Sequence, residues 1–129
     1  MVHDHDCARE ILLAVELCPF NQTLNVEKLA EKLPDFDEDT IWYACLKLGE
    51  GGFLDIETVD IMTSIMPVIK QIKCLTYRGH EFLGSIRDRK RWEKVKTVGH
   101  VVRDYSLAAI EKIAEGVTSA AISAAFSET

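Results

Sequence analysis

Hydrophobic residues recur at three- and four-residue spacing over the first fifty positions, and this pattern predicts three helices. Asp6 is the expected cap of the first helix, which ends before Pro19 because proline lacks a backbone donor. Asn25 is the expected cap of the second helix, "VEKLAEKL", and Asp37 of the third, "EDTIWYACLKLGE".

The pattern changes at Phe53. The segments "GFLDIETVDI" and "PVIKQIKCLT" are rich in β-branched residues and predict two antiparallel strands joined by the partly apolar connection "MTSIM". Thr76 is then expected to cap one charged helix, whose apolar stripe is formed by Phe82, Leu83, Ile86, Trp92 and Val95. A last helix is predicted to begin near Ser106.

Three helices followed by a hairpin is the element order of a winged helix-turn-helix, with the third helix in the recognition position and the hairpin as the wing. We therefore expect a mainly α protein with a small antiparallel β-hairpin. Residues 1–75 would form the winged-helix-like core. Residues 76–129 would form a helical extension that packs on the core or joins two chains, within a single globular unit.

At 129 residues the chain is long enough for one domain with its own core. No apolar run approaches the roughly 20 residues that span a bilayer, and no export signal precedes the first helix, so we expect a cytoplasmic protein. The four cysteines form no CxxC pair and are predicted to be reduced, buried thiols: Cys7, Cys18, Cys45 and Cys74.

Charge is unevenly distributed along the chain. Residues 1–60 carry fourteen acidic and four basic side chains, whereas residues 61–103 carry three acidic and ten basic ones. Such asymmetry is typical of a face that binds a charged partner, although distant segments can also neutralise each other after folding. Both interpretations stay open at this stage.

The segment "LTYRGHEFLGSIRDRKRW" and the opening "DHDCAREILL" carry a family resemblance. Together they resemble a family of small phage and prophage proteins with the pattern L-T-x-x-G-H-E-F-L-x-x-I-R-D-x-x-x-W. The resemblance covers roughly residues 4–115 and implies a winged-helix-like fold in a phage or prophage setting, without implying an activity. Its motif residues have a structural interpretation as a helix cap and packing positions: Thr76, Gly79, His80, Glu81, Phe82, Leu83 and Trp92.

Two arrangements that could indicate an enzyme are incomplete in this sequence. His80 and Glu81 could begin an H-E-x-x-H zinc-protease helix, but Gly84 occupies the position of the second histidine. A nucleophile pair of Cys74 and His80 has no evident means of lowering the thiol pKa. We therefore expect no catalytic residue, and His80 is interpreted as a hydrogen-bonded packing residue.

The amino terminus raises a separate metal question, because His3, His5 and Cys7 alternate there. An amino group with a histidine at the third position can chelate copper or nickel, but chain termini fray and a stable site needs a fourth ordered ligand. We expect neither a metal site nor a cofactor.

Two binding hypotheses remain. Duplex DNA could contact the basic middle of the chain, and on one continuous helix Arg87, Lys90 and Lys94 would share a face. The candidate DNA contacts are Lys70, Lys73, Arg78, Arg87, Arg89, Lys90, Arg91 and Lys94. Alternatively these residues pair with the acidic first half of the chain.

The second hypothesis is a protein partner. Carboxylates at the start of the predicted recognition helix would repel the DNA backbone, and they could instead attract a basic host or phage protein. This alternative surface comprises Asp35, Asp37, Glu38, Asp39 and Trp42. The alanine-rich last helix permits close approach of another helix, which fits either a homodimer or packing on the core. The prediction is a non-enzymatic binding module, with DNA-associated regulation placed before a protein-binding adaptor or host-factor antagonist.

Overall fold

The computed structural model describes residues 1–128 as a mainly helical chain with one two-stranded antiparallel sheet. Its elements in chain order are α1 His5–Leu17, α2 Val26–Lys32, α3 Glu38–Glu50, β1 Leu54–Val59, β2 Val68–Leu75, α4 Tyr77–Ile86, α5 Arg89–Val102 and α6 Leu107–Ser127. The chain divides into two compact units, the first covering Met1–His80 and the second beginning at Glu81. The predicted fold class, mainly α with a hairpin, is confirmed.

The predicted helix caps are largely confirmed. Asn25 accepts a hydrogen bond from the backbone N–H of Lys28 at 2.8 Å, and Asp37 caps α3 in the same way. The cap of α1 was predicted wrongly as Asp6. Asp4 holds this position, because its carboxylate accepts a hydrogen bond from the backbone N–H of Cys7 at 3.0 Å. Asp6 lies in the first turn, where a negative charge still suits the helix dipole.

The core of the first unit lies between α1, α2, α3 and the hairpin. Ile11, Leu12, Ile41 and Leu48 are fully buried there, as expected from their spacing. The linker between α1 and α2 also joins the sheet edge, because Leu24 exchanges two backbone hydrogen bonds with Ile72 of β2, at 3.1 and 2.7 Å. This arrangement is consistent with the predicted winged helix-turn-helix.

The strands of the hairpin pair with two register shifts. Ile56 faces Ile72 and Asp55 faces Cys74, so Lys73 has no partner in β1, and Lys70 is skipped in the same way at the second shift. Bulges of this kind insert an extra residue and interrupt the alternation of inward and outward side chains. Both wing lysines are therefore bulge residues with exposed side chains.

The prediction that all four cysteines are buried is wrong for two of them, and the bulge explains one of these, Cys74. Cys7 and Cys45 are buried as predicted, whereas Cys18 is half-buried and Cys74 is exposed. Cys74 follows the bulge at Lys73, so both residues face outward in succession. Burial raises the pKa of the Cys7 and Cys45 thiols to about 12, which keeps them protonated.

The single helix predicted after Thr76 is two helices, and that prediction is corrected. α4 ends at Ile86, and α5 begins after Asp88, whose carboxylate accepts from the backbone N–H of Arg91 at 3.0 Å. Aspartate favours such a cap over a helix interior because its short side chain competes for backbone donors. As a result Arg87 lies in the break, and its predicted helical spacing with Lys90 and Lys94 does not apply.

The second unit contains the packed pair α5 and α6. Trp92, Val95 and Gly99 of α5 are buried, and so are Ile110 and Ala114 of α6. A side-chain carbon on Gly99 would lie 3.2 Å from the Ile110 side chain, so the two helices approach closely there. α6 begins after Ser106, close to the predicted start, and the Ser106 hydroxyl caps it by accepting from the backbone N–H of Ala109 at 3.1 Å. Within residues 1–128, no helix is long and apolar enough to cross a membrane.

Candidate functional site

The amino-terminal half of α5 carries the densest positive charge in the second unit. We define the α5 basic cluster as Arg89, Lys90, Arg91 and Lys94, four of the predicted DNA contacts. Arg89, Lys90 and Lys94 are exposed, and Arg91 is half-buried. At about 100° per residue, Lys90 and Lys94 project from the side of the helix opposite Trp92 and Val95, and Arg89 and Arg91 flank them.

None of the four cluster residues forms an ion pair within the described residues 1–128. The acidic side chain among them, Glu93, pairs instead with Lys96 at 3.3 Å, and Lys96 lies 5.7 Å from the centre of the Trp92 ring. The carboxylate that lies within the span of the cluster is therefore already paired with a lysine outside it.

The other predicted DNA contacts have different surroundings. The Lys70 ammonium lies 3.7 Å from the Glu57 carboxylate, and Lys73 is exposed at its bulge. Arg78 donates to the backbone carbonyl of Gly51 at 2.9 Å, and its guanidinium lies 4.6 Å from the centre of the Phe53 ring. Arg78 therefore has a structural role within the first unit.

A second candidate surface lies at the start of α3. A cavity of about 610 Å³, here called the wing groove, opens between the first turns of α2 and α3 and the beginning of β2. Glu38, Asp39 and Trp42 of the predicted partner-binding set line it. The Trp42 indole donates to the backbone carbonyl of Pro67 at 3.2 Å, which joins α3 to the wing. Asp35 and Asp37 are not among the lining residues.

Two of the family-motif residues, Thr76 and Gly79, have structural roles in the first unit. The Thr76 hydroxyl accepts from the backbone N–H of Gly79 at 3.0 Å and so caps α4. A side-chain carbon on Gly79 would overlap the Phe53 carbonyl, which confirms the close approach to the wing that we predicted. His80 and Glu81 are exposed, so the interpretation of His80 as a packing residue is wrong, because it lies on the outer face of α4. Phe82, Leu83 and Trp92 are buried.

The amino-terminal histidines form a ring pair. The rings of His3 and His5 meet edge to face with their centres 4.7 Å apart, and no group of three metal-ligating side chains occurs in the part of the chain that is described. Both His3 ring nitrogens are buried without a hydrogen-bond partner there. Burial, and then the nearby charge of His5, lower the pKa of His3 from 6.5 to about 4.

This shift predicts a pH-dependent contribution to stability. Because the folded-state pKa of His3 lies below its ordinary value, the contribution is complete above pH 6.5 and is lost as the pH falls toward 4. We expect a His3→Leu variant to lose less thermal stability than the wild type between pH 7 and pH 4.5. Circular dichroism melts at several pH values measure this, with a His80→Leu variant controlling for loss of an exposed imidazole. If the melting temperatures of His3→Leu and wild type fell by the same amount between pH 7 and pH 4.5, the prediction would be contradicted.

Sequence reasoning missed the wing groove and the exposed tip of the wing. The apolar connection "MTSIM" was the available signal, but it predicted only a long turn. Met62 and Ile65 are fully exposed in the structure, and the Ser64 hydroxyl donates to the backbone carbonyl of Met66 at 2.7 Å. Whether such side chains are buried depends on what packs against the loop, which a local pattern does not specify.

Comparisons with known proteins match most of the chain. The family described as "Hypothetical protein (DUF2513)" matches residues 3–103. An uncharacterised protein of Haemophilus influenzae is 32% identical over 124 residues, which cover 92% of this chain and 97% of the relative. The X-ray structure of a PadR-like transcription factor from Bacteroides fragilis has 20% identity and a TM-score of 0.48, covering 75% of this chain and 90% of that one.

A phage or prophage setting stays a prediction from the motif. The match to residues 3–103 extends from the start of α1 to the end of α5, and the Haemophilus influenzae relative is similar over nearly its whole length. On these two matches, the chain belongs to the DUF2513 family of hypothetical proteins.

Proposed function

We propose that this protein is a non-enzymatic DNA-associated binding module that contacts the phosphate backbone through the α5 basic cluster. The observation that carries the proposal is the position of these cations. Three of them, Arg89, Lys90 and Arg91, occupy the first turn of α5. There the helix dipole disfavours positive charge by about 0.3–1 kcal/mol per residue, and no ion pair among the described residues compensates.

A phosphate group would reverse this unfavourable arrangement. It would interact favourably both with the cations and with the positive end of the helix dipole. Lys90 and Lys94 lie one turn apart on the exposed side of α5, so they can reach neighbouring phosphates of one strand. Contacts of this kind position a protein on the duplex without reading its sequence.

The charge of α3, the helix in the conventional recognition position, supports the choice of α5 as the DNA contact. The first turn of α3 carries Glu38 and Asp39. The lysine of this helix, Lys47, lies in its last turn, 3.0 Å from the Glu50 carboxylate. Phosphates would be repelled at the place where a recognition helix enters the major groove. We therefore place the DNA contact on α5 rather than on α3.

The test is fluorescence anisotropy of a random-sequence duplex titrated with protein over a salt series. We expect the Lys90→Glu/Lys94→Glu variant to bind at least about tenfold more weakly at low salt. The log–log salt slope should also become shallower by about 1.8, because each lost phosphate contact contributes about 0.9. The matched control is Lys28→Glu/Lys32→Glu, which makes the same charge change at the same spacing on exposed positions of α2.

The control also distinguishes two modes of binding. Loss of binding in the α2 variant alone would place the DNA on the first unit and overturn the assignment to α5. Equal binding by wild type and both variants, or no binding by the wild type at 50 mM salt, would also contradict the proposal.

The proposed module acts as a homodimer through α6. From Gly116 to Ser127 this helix carries no charged side chain, and Ile122 and Phe126 are largely exposed. Two copies of this face can approach without like-charge repulsion, and its alanines allow close contact between helix backbones. Sedimentation of the DNA-binding samples measures the assembly directly, and a monomer at all concentrations would remove the dimer from the proposal.

A further inference from the structure

The wing groove is lined both by apolar side chains and by carboxylates, and these carboxylates are here called its rim. Trp42, Met66, Pro67 and Val68 supply apolar surface, and the indole of Trp42 is held by its hydrogen bond to the wing. A concave surface with an anchored aromatic ring is typical of sites that receive a side chain from a partner. At about 610 Å³, the cavity is large enough for several side chains.

The rim of the groove is negatively charged. Glu27, Glu38 and Asp39 line it, and none of these carboxylates has an ion pair within residues 1–128. The ammonium group in the lining belongs to Lys70, which lies 3.7 Å from Glu57. Glu27, Glu38 and Asp39 lie in the first turns of α2 and α3, where negative charge suits the helix dipoles. This placement also concentrates three carboxylates around one cavity.

The tip of the wing extends the apolar surface beyond the groove. Met66 lines the cavity, and the neighbouring Met62 and Ile65 are fully exposed although the loop is ordered by hydrogen bonds at Ser64. Methionine-rich surfaces adapt to partners of different shape because the side chain is unbranched and flexible. Exposed apolar side chains beside a cavity are a common mark of a protein-binding site.

We infer that the wing groove is a docking site for a basic, amphipathic peptide segment of another protein. An apolar side chain of this segment would enter the cavity against Trp42 and Met66. Its lysine or arginine side chains would pair with Glu27, Glu38 and Asp39 on the rim. This function is separate from the proposed DNA contact, since the groove lies wholly in the first unit and α5 in the second.

Charge complementarity also argues against a second copy as the occupant. The basic helix of this chain, α5, buries Trp92 and Val95, and its exposed apolar side chains, Val101 and Val102, are short and lie in its last turn, beyond the α5 basic cluster. The exposed apolar end of α6 offers the opposite, because residues 116–127 contain no cation. A segment that combines both chemistries is therefore expected from a different protein.

The experiment is selection of a displayed library of random 12-residue peptides on the full chain, followed by anisotropy titrations of an enriched peptide. We expect enriched peptides to carry at least two lysine or arginine residues together with an aromatic or large aliphatic residue. Affinity for the Glu38→Gln/Asp39→Asn variant should fall by about tenfold, because the rim charges are lost. A Met66→Ser variant should weaken binding through the apolar contact.

The matched control is Glu31→Gln/Asp55→Asn, which removes two exposed carboxylates that do not line the groove. It should bind within about twofold of the wild type. The Lys90→Glu/Lys94→Glu variant should also bind the peptide normally, so failure of the DNA proposal leaves this test unaffected. Circular dichroism of each variant establishes that the fold is retained.

Three outcomes would overturn the inference. One is a selected pool without enrichment of basic residues over the starting library. Another is equal weakening by the groove variant and the control, which would mean a general charge effect. The third is self-association of the wild type that the Met66→Ser variant abolishes, which would identify a second copy as the occupant.

Discussion

Replacing Gly79 by alanine is expected to lower the free energy of unfolding by about 1–3 kcal/mol, the usual cost of forcing an extra carbon into a packed site. The added carbon would overlap the backbone carbonyl oxygen of Phe53, and it would lie 3.5 Å from the Leu75 side chain. Backbone cannot move aside as a flexible side chain can. The same carbonyl accepts a hydrogen bond from the backbone N–H of Thr76 at 3.1 Å, so relief by displacement would disturb that bond.

Gly84 provides the matched control for this change. It lies in the same helix, α4, and an added carbon there would meet nothing within 4 Å. Alanine at this position is expected to stabilise the protein by up to about 1 kcal/mol, since glycine is the poorer helix former. Urea denaturation followed by circular dichroism measures both variants. Equal stability of Gly79→Ala and wild type would show that the close approach to Phe53 is not tight.

Replacing Phe53 by alanine should have the largest effect on stability, a loss of about 3–5 kcal/mol. The ring is buried between the end of α3 and the start of α4, with 1% of the residue exposed. Its backbone N–H donates to the Leu48 carbonyl at 2.8 Å, and the Arg78 guanidinium lies over its ring. Removing the ring leaves a cavity at the point where the end of α3, the wing and the start of α4 meet.

Phe20 is the control for Phe53, because it is fully exposed. We expect Phe20→Ala to stay within about 0.5 kcal/mol of the wild type. Phe53→Leu keeps most of the buried volume and should lose less than Phe53→Ala, which provides a second measurement if the alanine variant does not fold. Denaturant midpoints at constant slope give the comparison, and similar losses for Phe53→Ala and Phe20→Ala would contradict the assigned role.

The family motif illustrates how far local sequence leads. Thr76 was predictable as a helix cap because threonine before a helical pattern satisfies a free backbone donor. Gly79 was expected to permit a close approach to the wing, but its contact atom, the Phe53 carbonyl, was not predictable. That contact joins residues separated by 26 positions, and only the packed chain brings them together.

The candidate surfaces divide in the same way. The basic residues of α5 were predictable as a cluster from their density in the sequence, but Arg87 was assigned to the same helical face and lies instead in a break. An aspartate such as Asp88 can cap a helix or lie inside one. Which of the two occurs depends on how the flanking segments pack. The wing groove was not predictable, because it forms between α2, α3 and β2.

The sequence by itself determined the order of the elements as far as the end of the hairpin, and the ends of most helices there. These depend on contacts over three or four residues, on capping side chains and on prolines, all of which are local. The tertiary structure alone decided the bulges that turn Lys70, Lys73 and Cys74 outward, the break between α4 and α5, and the wing groove. These features depend on which distant segments meet, and a one-residue shift of register or a break in a helix changes them without altering the local pattern.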